Sequence, residues 1–126
     1  MKQYYINKLR ERIQLQFSWN KSRLRFLTNF ITSLILCSTV KLNRIALLMN
    51  NEAKSESNYR GIQRFFQTFS MDYEEYAVFV VSHLAKKQKY YLVIDRTNWK
   101  FGKTDINILM LGIIYQKMCL PLYWML

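Results

Sequence analysis

Apolar residues recur at intervals of three and four along most of the chain, and at alternate positions after about residue 90. The apolar face of a first helix is formed by Ile6, Leu9, Ile13 and Phe17. A second helix, with Asn20 or Ser22 as its N-cap, would bury the face formed by Leu24, Leu27, Ile31, Leu34 and Ile35. A shorter third helix is predicted over residues 42–49, opened by Thr39 or Asn43.

A fourth helix is predicted over residues 56–69, after a polar break over residues 50–55. Its apolar face would consist of Tyr59, Ile62, Phe66 and Phe69, with Phe65 beside them. At the same spacing, the opposite face would present Arg60, Gln63, Arg64 and Gln67. Arginine pairs with guanine edges and glutamine with adenine edges, so this face suits a DNA major groove. An ordinary solvated helix face explains the same pattern.

A fifth helix is predicted from a start that resembles a capping box, with Asp72 as N-cap and Glu75 three residues later. Its buried face would consist of Tyr76, Phe79, Val80 and Leu84, and we expect it to end near residues 86–89. His83 would lie on or near this apolar face. Because the sequence has a single histidine, a structural role is expected for His83 and no function is assigned to it.

The last third of the chain has the composition of β-strands. A β-rich run over residues 90–94 ends at Asp95, and a loop over residues 96–105 would follow it. Two further strands are predicted over residues 106–115 and 118–126, joined by a tight turn at Gln116 and Lys117. The fold class is therefore α+β, with a helical region followed by a three-stranded antiparallel meander. Asp95 is either a turn former or a functional carboxylate at a strand end.

Charge is distributed unevenly between the two halves. The chain has a net charge of +11, and residues 1–70 contribute +9 of it, with 12 basic and 3 acidic side chains. This surplus favours a polyanionic partner, which the first half would bind. Expected phosphate contacts come from two basic clusters, Lys8, Arg10, Arg12 and Lys21, Arg23, Arg25.

Two cysteines, Cys37 and Cys119, lie in apolar runs without the spacing of a disulfide framework or a zinc site. A reducing, cytosolic setting fits this usage best. The apolar stretches over residues 26–40 and 106–126 are too short or too interrupted by polar residues to predict a membrane span.

The run Asp95-Arg96-Thr97-Asn98-Trp99-Lys100-Phe101-Gly102, with Leu92-Val93-Ile94 before it, resembles the first-aspartate motif of bacterial insertion-sequence transposases of the DDE type. Looser resemblance to the amino-terminal region of that family extends over residues 17–30, 40–46 and 56–66. The resemblance thus covers nearly the whole chain and is most specific at residues 92–102.

The resemblance implies a basic, helical DNA-binding region over residues 1–88 and the first three strands of an RNase H-like catalytic domain over residues 89–126. It implies that Asp95 is the first catalytic carboxylate and a ligand of Mg²⁺, in a triad whose second Asp and Glu lie on later elements. Asp105 is expected in the loop before the second strand, outside the triad. With one triad member, the chain is expected to be inactive in cleavage by itself, with an exposed apolar edge on its first strand.

The expected partners are double-stranded DNA at transposon ends and, in addition, full-length transposase or a second copy of the chain. A bacterial cytoplasmic, nucleoid-associated location follows from that expectation. Two alternatives belong to other classes. One is a stand-alone DNA-binding protein that inhibits transposition, and the other is a basic protein of a membrane surface, favoured by the charge and by the apolar carboxyl end.

Overall fold

The computed structural model describes residues 2–49 and 52–126 of the chain. These residues form five helices and then three strands: α1 Lys2–Gln16, α2 Lys21–Cys37, α3 Leu42–Leu48, α4 Ser55–Thr68, α5 Tyr73–Ser82, β1 Leu92–Phe101, β2 Thr104–Tyr115 and β3 Met118–Met125. The α+β class is therefore confirmed. Residues 50 and 51 of the predicted polar break lie outside the described residues.

The chain divides into two compact units, residues 1–70 and residues 71–126. The helical unit contains α1 to α4, and the sheet unit contains α5 with the three strands. The boundary precedes α5, whereas the sequence predicted a boundary after residue 88. The difference arises because α5 packs on the sheet: Ala77 and Val80 lie against a buried cluster of Leu84, Ile113 and Leu122.

In the helical unit, α1 and α2 form as the sequence predicts. Ile6 and Ile13 are buried along α1, and Phe17 is buried directly after its end. The Asn20 side chain caps α2 by accepting a hydrogen bond from the backbone N–H of Ser22, at 2.8 Å. The apolar periodicity of both helices was therefore sufficient to find them.

The buried face of α2 differs from the predicted one. Ile35 is 69% exposed, while Thr28, Thr32 and Ser33 are buried. The two threonine hydroxyls need no external partner, because Thr28 donates to the carbonyl oxygen of Leu24 and Thr32 to that of Thr28, at 2.9 and 2.8 Å. Hydroxyls that bond within their own helix can be buried at low cost, and hydropathy alone does not detect them.

Two predicted helix ends were wrong. The N-cap residue of α3 is Lys41, not Thr39 or Asn43, and the Lys41 side chain makes no capping hydrogen bond. The Asp72 side chain does cap α5, accepting from the backbone N–H groups of Glu74 and Glu75 at 2.8 and 3.1 Å. However, α5 ends at Ser82, before the lysines at which the sequence predicted its end.

The sheet has the strand order β1-β2-β3, with both pairs antiparallel, as the meander prediction required. Gln116 and Lys117 form the predicted tight turn and both have positive φ angles, 47° and 66°. The prediction that the first strand ends at Asp95 was wrong. β1 continues to Phe101, and Asp95 pairs with Met110 in the middle of the ladder.

A β-bulge in β3 places one residue in the small core of the sheet unit. Leu111 pairs with Tyr123 and Gly112 pairs with Pro121, so Leu122 is the extra residue. Its side chain is buried with Leu84 and Ile113. By contrast, every residue of β1 is exposed, and in the described part of the chain β1 pairs on one side only. The predicted exposed edge is therefore present.

Candidate nucleic-acid interface

Helix α4 presents a row of polar side chains to solvent. Arg60, Gln63, Arg64 and Gln67 are all exposed, as the sequence predicted. The row extends over about 10 Å of helix, which matches roughly three base-pair steps of a duplex. Together with Ser57, these side chains line one shallow depression of about 510 Å³. Ser57 was not among the predicted contacts, although its position three residues before Arg60 places it on the same face.

The buried face of α4 fixes the direction in which this row points. Ile62 and Asn58 are buried, at 0% and 5% exposure. Tyr59 and Phe66, predicted to be buried, are 36% and 57% exposed. The face is rotated from the predicted one because the buried Asn58 side chain bonds to α3: its Nδ2 donates to the carbonyl oxygen of Ala46 at 3.2 Å.

Helices α3 and α4 pack against each other, and residues 49–54 separate them in the sequence. Ile45 and Ala46 of α3, Ile62 of α4 and Phe30 of α2 share one buried cluster with Met49. The carboxyl-terminal carbonyls of a helix lack partners within it. In α3 two of them are satisfied by neighbouring helices, since Ser33 Oγ donates to the carbonyl oxygen of Leu48 at 3.0 Å and Asn58 bonds to Ala46. The pair is thus anchored by buried polar contacts as well as apolar ones.

Aromatic rings hold α2 against α4. The rings of Phe26 and Phe65 stack with their centroids 5.2 Å apart, and Phe65 stacks on Phe69 at 4.6 Å. Gly61 permits this approach, because a Cβ added there would lie 3.2 Å from the ring of Phe26. The polar row therefore belongs to a helix whose opposite side is closely packed against α2.

The basic cluster at the start of α2 divides into two parts. The Arg23 guanidinium lies over the ring of Phe69, 5.5 Å from its centroid, beside the end of α4. Lys21 and Arg25 instead line a separate depression with Arg10 of α1. All three cluster residues, Lys21, Arg23 and Arg25, are exposed, so each is available to a phosphate group.

Asp95 lies in the sheet unit, exposed in the middle of β1. Its partner Met110 and the buried Ile113 are three residues apart on β2, so they point to opposite faces of the sheet. Ile113 packs in the cluster that Ala77 and Val80 of α5 contact, so the exposed Asp95 lies on the opposite face of the sheet from that cluster. This position differs from the predicted strand end and excludes the turn-forming role.

The resemblance implied Mg²⁺ at Asp95, and the surroundings of Asp95 test that idea. Asp105 lies within β2 rather than in the predicted loop, pairs with Lys100 and has its carboxylate 3.9 Å from the Lys100 ammonium. Within residues 2–49 and 52–126, no group of three His, Cys, Asp or Glu side chains could hold a metal ion. Asp95 thus offers one oxygen-bearing side chain, which does not by itself fit a divalent ion that requires about six ligands.

His83 is exposed, and its ring lies beside that of Phe79, near the predicted apolar face, with the two centroids 4.7 Å apart. It follows the end of α5, where its Nδ1 donates to the carbonyl oxygen of Phe79 at 2.8 Å and lies 3.2 Å from Ser82 Oγ. A histidine at a helix carboxyl terminus commonly bonds a terminal carbonyl in this way. These bonds explain His83 without a ligand.

Comparisons of the chain with protein-family models, with curated proteins and with solved structures gave no match. Among the helices described, none is both long and apolar enough to cross a membrane alone. Helices α2 and α3 pass that test only as a pair, with a bend of 107° between them. The function is therefore inferred from the residues themselves and from the resemblance of their motifs.

Proposed function

We propose that this chain acts in DNA transposition, as the amino-terminal part of a DDE transposase that binds transposon-end DNA. The observation that carries the proposal is the exposed row Arg60, Gln63, Arg64 and Gln67 on α4, whose opposite side packs on α2 and α3 as in a helix that reads DNA from a helix–turn–helix. Such a helix offers its outer face to the major groove, where Arg and Gln side chains pair with base edges. Lys21, Arg23 and Arg25 add phosphate contacts, which position the protein on the duplex.

The sheet unit carries the proposed catalytic element. In the resemblance, its three antiparallel strands begin an RNase H-like domain and Asp95 is the first carboxylate of the triad. Two further carboxylates would have to join Asp95 before Mg²⁺ is held there. We therefore propose that the 126-residue chain binds DNA and does not cleave it.

Binding of a duplex at different salt concentrations tests the DNA-binding part. If about five phosphates are neutralised, log affinity falls with log salt at a slope of about −4 to −5. The double variant Arg60→Ala, Arg64→Ala should lose preference for the cognate end by roughly 1–3 kcal/mol for each bidentate contact removed. Its affinity for unrelated DNA should fall less.

A matched control is Lys86→Ala, Lys87→Ala, which removes the same charge from the sheet unit. We expect this control variant to bind cognate and unrelated DNA slightly more weakly, and to the same extent. An affinity that does not change with salt would contradict DNA binding. Equal losses of the arginine variant on cognate and unrelated DNA would assign Arg60 and Arg64 to phosphate contacts instead.

The catalytic part is tested in a chain extended through the downstream reading frame, assayed for Mg²⁺-dependent cleavage at transposon ends. Asp95→Asn should abolish cleavage while end binding persists, since a neutral amide does not replace a ligating carboxylate. Asp105→Asn is the control, because Asp105 faces Lys100 and should not affect cleavage. Full activity of the Asp95→Asn chain, or cleavage by the 126-residue chain, would contradict the assignment.

A stand-alone DNA-binding protein, which would inhibit transposition by occupying the ends, is the second candidate. It is favoured by the fact that all the proposed DNA contacts lie within the unit of residues 1–70. The two candidates differ in the reading frame downstream of codon 126. An open frame that supplies another Asp and a Glu supports the transposase, and its absence supports the DNA-binding protein.

A further inference from the structure

A second polar depression lies between the end of α1 and the first turns of α2, apart from the row on α4. It has a volume of about 480 Å³ and is lined by Arg10, Gln14, Lys21, Ser22, Leu24 and Arg25. Three of these six side chains are cationic and none is acidic. Like charges brought together in this way repel one another, and their cost is removed when an anion binds between them.

The Arg10 side chain gives this depression a specific character. Its Nε is fully buried and, among the described residues, is the one buried side-chain nitrogen or oxygen without a hydrogen-bond partner. A buried donor left unpaired is unfavourable, because it has lost its hydrogen bonds to water without gaining others. Native structures normally satisfy such groups with protein, water or a ligand. The Nε–H of Arg10 is therefore a buried donor at this depression that lacks an acceptor among the described residues.

The neighbouring charges support an anionic ligand rather than water alone. Gln14 follows Arg10 by one helical turn, and Lys21 precedes Arg25 by one turn, so each pair shares a face of its helix. Arg23, which lies between the latter two in sequence, is directed instead onto the Phe69 ring. Helices α1 and α2 thus bring their positive side chains together at this one depression.

From these contacts we infer that the depression binds one backbone phosphate of duplex DNA, with Arg10, Lys21 and Arg25 as its donors. The inference rests on the proposed DNA binding and deepens it, because it separates this phosphate site from a general basic surface. Guanidinium groups bind phosphate oxygens through two parallel N–H donors, which suits Arg10 and Arg25. The amide of Gln14 and the hydroxyl of Ser22 provide further donors.

The test compares Arg10→Gln with Arg44→Gln. Arg44 lies on α3 and its loss removes the same charge, but it is exposed, does not line the depression and is not among the proposed DNA contacts. A short duplex of mixed sequence is titrated between about 50 and 200 mM salt. Loss of one phosphate contact should make the slope of log affinity against log salt shallower by about 0.9. Over that salt range, the disadvantage of Arg10→Gln should therefore shrink by about threefold.

Two further variants separate a lost contact from a lost fold. Arg25→Gln changes an exposed residue and should reproduce the change in slope, and Arg10→Lys should restore part of it by restoring the charge. Circular dichroism is used to check that each variant remains helical. Equal slopes for Arg10→Gln and Arg44→Gln, beside salt-dependent binding by the native chain, would overturn this inference alone. Absence of duplex binding by the native chain would overturn the proposed function with it.

Discussion

The helical unit and the sheet unit differ in how completely each buries its apolar side chains. Of the twelve buried hydrophobic residues in the described chain, nine lie within residues 1–70 and three within residues 71–126. In the sheet unit, Ile94 and Phe101 of β1 are 73% and 74% exposed. The helical unit also carries +9 of the net charge of +11. The comparison indicates that the first unit has a core of its own, while the second leaves apolar strand surface open.

The largest expected effect tests the core of the helical unit. Ile62→Ala removes a side chain with 0% exposure at the junction of α2, α3 and α4, and should lower the free energy of unfolding of that unit by about 2–5 kcal/mol. DNA binding should weaken in parallel. The matched variant Ile94→Ala in β1 should change stability by about 0.5 kcal/mol or less. Chemical denaturation followed by circular dichroism measures both, and equal losses would remove the contrast between the units.

The next effect tests the sheet unit at its bulge. A Cβ at Gly112 would collide with Cys119 Sγ and would lie 3.3 Å from the carbonyl oxygen of Leu120. Gly112→Ala should therefore destabilise the sheet unit by about 1–3 kcal/mol, as overpacking generally does. Thermal unfolding of the single variant and of Gly112→Ala, Cys119→Ala measures the clash. If adding Cys119→Ala restores no stability, Cys119 Sγ is not the cause of the destabilisation by Gly112→Ala.

A smaller effect is expected at the start of α5. Asp72→Ala removes the acceptor of two backbone N–H groups and should cost about 1 kcal/mol. Asp72→Asn keeps an acceptor and should cost clearly less. Hydrogen exchange at the amides of α5 reports the loss locally. Equal effects of Ala and Asn would mean that the cap contributes little to the attachment of this helix.

The smallest effect is a pH dependence. Burial raises the pKa of Tyr76 above its ordinary value of 10.0, because desolvation disfavours the phenolate. The unfolded chain then releases this proton at a lower pH than the folded one, so the contribution of Tyr76 to stability is constant below about pH 10 and falls as the pH rises beyond it. Tyr76→Phe should flatten that part of the curve of unfolding free energy against pH. An unchanged curve would show that other groups cause the alkaline loss.

Where an element makes its own hydrogen bonds and its apolar face is regular, the sequence predicted it well. The α1 face with Ile6 and Ile13, the Asn20 cap and the Gln116–Lys117 turn are all of this kind. The exposed row on α4 was also predictable, because long charged and amide side chains at helical spacing rarely point inward. In these cases the deciding interactions lie within a few residues along the chain.

Where distant residues decide, the sequence prediction was wrong. Asp95 was expected at a strand end because a carboxylate normally interrupts an apolar run, but pairing with β2 extends β1 through it to Phe101. Because Asp95 is exposed, it does not carry the cost that a buried carboxylate would have. Likewise, the sequence did not show that Asn58 would be buried in a hydrogen bond to Ala46 while Phe66 stays largely exposed.

The sequence by itself thus determined the α+β order of elements, the uneven charge and the outward row of Arg60, Gln63, Arg64 and Gln67. It did so because helix periodicity, strand alternation and capping are local properties of the chain. Only the tertiary structure decided that Arg23 lies over the ring of Phe69, while Lys21 and Arg25 line a depression together with Arg10. It also decided that Asp95 lies within a strand. Those outcomes depend on which elements pack or pair with one another, and that information is not contained in any short segment.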